Sequence, residues 1–334
     1  MKKIAIIGGG SWGTALAIAL AQSSRPHRLT LWAHSADVVE ALSTRRVNEI
    51  YLSGFALPAG VEVTGNLGEA LAGADIVLGV MPSAHARGMY HAMRPFTEPG
   101  AIFVSATKGL EPETHARMSQ VIAEEFGPHS DSRIAVLSGP SFAREVAAGD
   151  PTVVVLASAD PNLASEVQAE FSGPRFRLYT NDDVIGTEIA GAVKNVIAIA
   201  AGICTGLELG TNAVAALVTR GLAEMTRLAV ALGGRRETLS GLAGVGDLIL
   251  TATGELSRNR SVGIELGKGR DLGHILGSTR RVAEGVGSTA AALDLAGRTG
   301  VEMPITEQVY AVLTAGHVTR DAIRELMERR LKQE

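Results

Sequence analysis

A sheet domain of the α/β class followed by an all-α domain is the fold this 334-residue sequence predicts, on three observations. Short β-rich runs alternate with amphipathic helical stretches through the first half, the pattern of a parallel sheet covered by helices on both faces. A glycine cluster, Gly8-Gly9-Gly10 with Gly13, follows the first of those runs and opens a helix. After about Asp183 the strand-like runs stop, and apolar residues recur at helical spacing. These features divide the chain into residues 1–185 and 186–334. No Ser/Pro-rich linker separates the halves, so the boundary runs straight into the helix that carries Lys194.

The expected strands are Lys3–Ile7, Leu29–Trp32, Ile76–Val80, Ala101–Ser105, Ile134–Leu137 and Thr152–Leu156. The first, third, fourth and fifth each end in Gly, Pro or a small polar residue. In open α/β sheets that carboxyl edge is where ligands bind. In the second half, helices are expected over 189–203, 213–232, 286–297 and 305–314. Glycines at 202, 206, 233, 234, 241, 244 and 246 punctuate them, as helix ends and tight helix contacts require.

Composition narrows the function classes. Hydrophobic residues make up 46% of the chain, enough to bury a core in each domain, and the formal charge is −4. That balance argues against nucleic acid or a membrane surface as a general partner, so any anion site is local. Cys204 is the single cysteine and excludes an intramolecular disulfide and a Cys-based zinc site; among Ala, Gly and Ile it reads as a buried thiol. No metal is expected. Lys2-Lys3 before an apolar segment imitates a signal peptide, but Gly8, Gly9, Gly10, Ser11 and Gly13 interrupt it, and strand, turn and helix account for every residue. Lys194 and Asn195 break the longest apolar helix, leaving it short of the ~20 residues a membrane span needs. The expectation is a cytoplasmic protein without membrane insertion. Its glycine-rich apolar helices fit a homodimer.

Seven segments carry candidate chemistry. Gly8-x-Gly10-x-x-Gly13 after a strand allows a tight turn, close backbone approach to a pyrophosphate and close helix packing, with the helix N-terminus facing the phosphates. The second strand ends near Ala33 or His34, in Trp32-Ala-His-Ser. No carboxylate stands there to repel a 2′-phosphate, so NADPH is expected to be accepted, either alongside NADH or in preference to it. Lys108 and the Ser138-Gly-Pro-Ser-Phe-Ala143 segment, with a helix expected from near Ser141, leave neighbouring strands. Lys108 is either a substrate ligand or an exposed turn residue. Ser257-Arg-Asn-Arg260 is either a capped surface helix or an arginine on a helix N-terminus suited to a phosphate. Lys194 sits in the apolar run Ile189-Ala-Gly-Ala-Val-Lys-Asn-Val-Ile, where an unpaired ammonium is costly. Asp247, in Gly-Val-Gly-Asp-Leu, is either its ion partner or a helix cap.

Together these segments resemble the NAD(P)-dependent glycerol-3-phosphate dehydrogenases of the bacterial type. The matching stretches run in family order along nearly the whole chain: Gly8-Gly-Gly-Ser-Trp-Gly-Thr-Ala-Leu-Ala17, Lys108-Gly-Leu-Glu111, Ser138-Gly-Pro-Ser-Phe-Ala143, Tyr179-Thr-Asn-Asp-Asp-Val184, Lys194-Asn-Val-Ile-Ala-Ile-Ala-Ala-Gly202, Leu242-Ala-Gly-Val-Gly-Asp247, Leu256-Ser-Arg-Asn-Arg260 and Ala283-Glu-Gly-Val286. The resemblance implies a Rossmann-like dinucleotide-binding domain joined to an all-α domain like the C-terminal domain of 6-phosphogluconate dehydrogenase. It implies reduction of dihydroxyacetone phosphate to sn-glycerol 3-phosphate, the backbone of phospholipids, with Lys194 as the catalytic acid/base. Lys108, Gly139, Ser141, Lys194, Asp247, Ser257, Arg258 and Asn259 would hold the substrate. Ser11, Trp12, His34, Tyr51, Lys108, Ala143, Arg258, Val282 and Glu284 would join Gly8, Gly10 and Gly13 at the cofactor.

Three departures from the family pattern stand out. His34 replaces a frequent arginine, Thr211 replaces an acidic residue, and Thr251-Ala-Thr-Gly254 replaces Cys-Thr-Ser before the arginine motif. Competing readings are a dehydrogenase of the 6-phosphogluconate or hydroxyisobutyrate type and a noncatalytic NAD(P) sensor. The arginine motif and Asp247 disfavour the first. Retention of Lys194, Lys108 and Asp247 disfavours the second, because a sensor needs no proton donor.

Overall fold

A computed structural model describes residues 1–127, 133–277 and 282–330. Their elements fall into two units, Met1–Glu111 with Ala116–Glu188, and Pro112–His115 with Ile189–Glu334. Short runs of two to six residues, most of them largely apolar, make the strands of the first unit: β1 (Lys3–Ile7), β2 (Arg28–Trp32), β3 (Val47–Asn48), β4 (Leu52–Ala56), β5 (Val61–Thr64), β6 (Ile76–Gly79), β7 (Ile102–Ser105), β8 (Ile134–Ser138), β9 (Thr152–Ala157) and β10 (Phe176–Asn181). Eight of them form one sheet in the order β10-β9-β8-β7-β6-β1-β2-β5, and β3 pairs with β4 separately. Successive residues of β1 face opposite ways. Ile4 and Ile6 enter one core layer with Leu16 and Leu31, while Ala5 and Ile7 enter the other with Val77 and Tyr90. From β1 the chain goes to β2 on one side and later to β6 on the other, so the carboxyl end of β1 is the switch point of the sheet.

The sheet departs from the all-parallel expectation in one place. β9 pairs antiparallel to β8, with Leu137 opposite Leu156. The connection between them carries only a six-residue helix, Ala143–Ala148. The strands β5 and β10 were not anticipated because both lie at sheet edges, where apolar residues alternate with exposed ones.

The helices of the first unit are α1 (Ser11–Leu20), α2 (Ala36–Glu40), α3 (Leu67–Leu71), α4 (Ser83–Met93), α5 (Met118–Phe126), α6 (Ala143–Ala148) and α7 (Pro161–Phe171). α8 (Val184–Gly206) leads into α9 (Thr211–Ala231), α10 (Arg236–Leu239), α11 (Asp247–Thr253), α12 (Arg258–Gly267), α13 (Leu272–Gly277), α14 (Glu284–Thr299), α15 (Pro304–Ala315) and α16 (Thr319–Met327). Lys194 and Asn195 do not shorten the apolar helix as expected. α8 runs for 23 residues and is long and apolar enough to cross a membrane, yet its apolar window is 89% buried inside the protein. It is a core helix. Cys204 on it is buried, and burial pushes the thiol up, away from the reactive thiolate.

Two features lock the helical unit around α8. Gly202 and Gly206 face Gly263 and Gly267 of α12 so closely that a Cβ on Gly202 would lie 2.1 Å from the Arg260 carbonyl oxygen, and one on Gly263 2.0 Å from that of Ile199. Only paired glycines permit this backbone approach. The second feature is Glu224 of α9, which is buried and caps another helix. Its carboxylate accepts from the N–H groups of Ile305 (2.7 Å) and Thr306 (3.3 Å) and from the Thr306 hydroxyl (3.2 Å), satisfying the first turn of α15.

Burial pushes the Glu224 carboxyl up to about 7 from its ordinary value of 4.5, although its donors favour the charged form. The folded protein therefore holds this proton more tightly than the unfolded chain. The contribution is fully present below pH 4.5 and fades as pH rises through 7, by about 3 kcal/mol. Denaturant titrations across that window are expected to show wild type losing this increment relative to Glu224→Gln. Parallel stability curves for the two proteins would contradict the assignment.

Candidate active site

The glycine loop follows β1 at the switch point of the sheet. Gly8 has φ +137°, and a Cβ there would sit 2.3 Å from the Val80 carbonyl oxygen. A Cβ on Gly13 would lie 1.8 Å from the Gly8 carbonyl oxygen, so this glycine lets α1 close onto the loop. Gly10 differs. Its φ is −77°, and a Cβ built on it meets nothing within 4 Å. The protein's own packing therefore does not require glycine at position 10. A ligand that approaches the backbone there does, and a dinucleotide pyrophosphate fits that requirement. α1 starts with Ser11 and Trp12, with no acidic residue in its first turn and no side-chain cap. Its positive end suits an anion.

The other first-unit candidates surround this edge in sequence-distant pieces. His34 is exposed just beyond β2, its ring centroid 6.0 Å from that of Trp32. Trp12, Tyr51 and Ala143 are partly buried against the core layer beneath α1. Lys108 follows β7 and is no free turn residue, since its ammonium donates to the Gly139 carbonyl (2.7 Å) and the Ser141 hydroxyl (3.1 Å) beyond β8. Gly139 takes φ +120°, a conformation side chains avoid. The helix expected from near Ser141 starts two residues later, at Ala143, after Phe142 in extended conformation.

The second-unit candidates centre on Lys194, which is 5% exposed. Its Nζ donates to Asp247 Oδ1 at 2.6 Å and to Thr251 Oγ1 at 2.9 Å. Asp247 is fully buried in the first turn of α11. Thr251, one turn on, sends its own proton to the Asp247 backbone carbonyl (2.6 Å), which leaves its oxygen to accept from the lysine. Asp247 and Thr251 share a helix face by their i, i+4 spacing. Sequence reading found Asp247 and missed Thr251, although the same spacing was the available signal.

α12 supplies the phosphate-type feature. Ser257 is its N-cap and accepts from the Arg260 N–H at 3.2 Å, while Arg258 is exposed on the first turn. Asn259 is buried, with both ends of its amide engaged. It donates to Asn195 Oδ1 (2.8 Å) and accepts from the Gly285 N–H (3.0 Å). The residues beside Lys194, Arg258 and Glu284 are thus hydrogen-bonded to one another. Glu284 is partly buried at the start of α14, and Val282, just before it, is exposed. Among the described residues no cluster of His, Cys, Asp and Glu could hold a metal ion.

A glycine loop at a sheet switch point, joined in one chain to a buried ammonium oriented by a carboxylate, defines a dinucleotide-dependent oxidoreductase. Comparison with known proteins gives the particular family. Models of the NAD-dependent glycerol-3-phosphate dehydrogenase N-terminus and C-terminus match residues 3–164 and 183–324. A glycerol-3-phosphate dehydrogenase [NAD(P)+] of Koribacter versatilis is 57% identical over 330 residues, with 98% of each chain covered. That of Geobacter sulfurreducens is 52% identical, covering 100% of this chain and 99% of its own. The crystal structure of glycerol-3-phosphate dehydrogenase from Coxiella burnetii is 41% identical and superposes with a TM-score of 0.92 over 98% of this chain and 99% of its own. The chain belongs to the NAD-dependent glycerol-3-phosphate dehydrogenase family, whose members use NADH or NADPH.

The loop geometry separates folding from binding. Gly10→Ala is expected to unfold within about 0.5 kcal/mol of wild type while raising the NADPH Kd at least roughly tenfold, as read by fluorescence titration. Gly13→Ala is expected to lose stability outright. An unchanged Kd in Gly10→Ala would remove the reason given for that glycine.

Proposed function

We propose that this enzyme catalyses the reversible reduction of dihydroxyacetone phosphate to sn-glycerol 3-phosphate with NADPH or NADH, supplying the glycerol backbone of phospholipids. The observation that carries the reading is the buried Lys194 ammonium held by Asp247 and Thr251, in a chain of this family. When bound, the reduced nicotinamide supplies the hydride. Hydride addition to a ketone builds negative charge on its oxygen, and Lys194 stabilises that charge and delivers the proton. Asp247 holds the ammonium against desolvation and fixes its direction, with Thr251 as the second support.

Arg258 anchors the substrate phosphate with a planar donor fork on the positive end of α12, which carries no acid in its first turn. The Asn259 amide is engaged by Asn195 and Gly285, so this residue meets the phosphate through its backbone N–H. Ser257 caps the same turn. Lys108, Gly139 and Ser141 form a second polar group of the substrate set. Gly8, Gly10, Ser11, Trp12, Gly13, His34, Tyr51 and Ala143 in the first unit, with Lys108, Arg258, Val282 and Glu284, form the cofactor set. The absence of a carboxylate after β2 supports acceptance of NADPH. The buried state of α8 supports a protein without membrane insertion, and we assign it to the cytoplasm as a homodimer.

Following NADPH or NADH oxidation with dihydroxyacetone phosphate, beside 6-phosphogluconate oxidation and a blank without substrate, tests the reading. Turnover is expected with dihydroxyacetone phosphate and either cofactor. Lys194→Ala is expected to lower kcat by about a hundredfold or more, and Arg258→Ala to raise the substrate KM by roughly ten- to a hundredfold. Turnover with 6-phosphogluconate alone, or near-normal kcat in Lys194→Ala, would overturn it.

A further inference from the structure

We infer that Asn48 is a positioning residue that sets the polarity of the dinucleotide loop, turning its carbonyls inward and its N–H groups toward the bound anion. Asn48 lies in β3, 34 residues after Thr14 and well outside the glycine motif, and its side chain is buried, at 1% exposure. Its amide donates one N–H to the Gly9 carbonyl and the other to the Thr14 hydroxyl, both at 2.8 Å. Its oxygen accepts from the Tyr51 backbone N–H at 3.1 Å. The Thr14 hydroxyl in turn donates to the Gly10 carbonyl at 2.8 Å. Two consecutive carbonyls of the loop are thus drawn to the Asn48–Thr14 pair.

Peptide planarity converts this into a statement about donors. In a trans peptide the C=O of one residue and the N–H of the next point in opposite directions. With the Gly9 and Gly10 carbonyls turned toward Asn48 and Thr14, the N–H groups of Gly10 and Ser11 point away from them. The first of these belongs to Gly10, where a Cβ meets open space. Without Asn48 the Gly9 carbonyl could rotate outward and present a partial negative charge to a phosphate, whereas the Gly10 carbonyl also accepts from the Thr14 backbone N–H (3.0 Å) and stays with the helix. An amide is needed here because both of its N–H groups are used. An aspartate would have no donor for the Gly9 carbonyl, and it would add a negative charge behind the anion site. Through Tyr51 the same side chain ties the β3–β4 turn to the loop.

The inference rests on the dinucleotide reading of the loop and not on the identity of the ketone substrate. It is tested by titrating the full-length protein with NADPH and with ADP-ribose, which keeps the pyrophosphate but lacks the nicotinamide, and no turnover is involved. Asn48→Asp is expected to raise the Kd of both ligands by roughly thirtyfold. In the same variant, kcat and the KM for dihydroxyacetone phosphate at saturating NADPH should stay within about threefold of wild type. Thr14→Val, which keeps the shape and removes the relay, is expected to weaken both ligands by about tenfold and serves if Asn48→Asp does not fold. A Kd within twofold of wild type in the folded variants, or weakening of NADPH without ADP-ribose, would overturn the inference. A wild-type protein that binds NADPH but does not reduce dihydroxyacetone phosphate would instead refute the proposed reaction and leave this result standing.

Discussion

The ion pair between Lys194 and Asp247 is the constraint on which the helical unit depends. Each group, if buried alone, would carry a desolvation cost of several kcal/mol. At 2.6 Å, with Thr251 as a second acceptor, the ammonium is compensated in a setting where both partners are almost completely removed from water. Such a pair adds little to stability compared with a well-packed apolar substitute, and breaking it is expensive. Its value is directional. It fixes one proton-bearing nitrogen on α8 against the first turn of α11, on a helix built mostly from Ala, Val, Ile and Gly.

Holding that nitrogen still requires holding α8 itself. The backbone contact of Gly202 and Gly206 with Gly263 and Gly267 leaves α8 and α12 no room to slide, because each glycine abuts a carbonyl of the other helix. The Asn195–Asn259 hydrogen bond, with Gly285 closing the third side, joins α8, α12 and α14 one turn farther along. The proton donor and the exposed arginine of α12 therefore belong to a single rigid set of helices. Preorganisation of this kind lets electrostatic stabilisation act without reorganisation during the reaction. The glycine loop of the first unit follows the same logic. Gly8 and Gly13 serve the protein's packing, which frees Gly10 to serve the ligand.

Much of this was legible in the sequence, and the exceptions share a cause. A lysine inside an apolar run announces a buried charge, and an acid among glycines announces its partner, because both are costly without one another. Strand, turn and helix at the N-terminus follow from local pattern in the same way. Thr251 carried only its i, i+4 spacing from Asp247 as a signal, since a hydroxyl on a helix is ordinary until its oxygen is seen to accept from a buried ammonium. Glu224 looks like a surface acid and becomes a helix cap only through α15, about 80 residues away. Asn48 sits in a two-residue strand that no periodicity marks. The glycines at 202, 206, 263 and 267 suggest close contacts, but their pairing is a property of the tertiary fold. The antiparallel pairing of β9 with β8 is likewise a property of the assembled sheet, and α6 starts two residues after its expected position.

The most direct measurement replaces Asp247 with asparagine, which keeps the shape and removes the charge, and compares kcat for dihydroxyacetone phosphate reduction with the NADPH Kd of the folded protein. If Asp247 holds the Lys194 ammonium in its working state, kcat falls by about a hundredfold or more while the Kd stays within roughly twofold. A kcat within twofold of wild type would show that the buried ion pair is dispensable to the reaction and would contradict the role given to it.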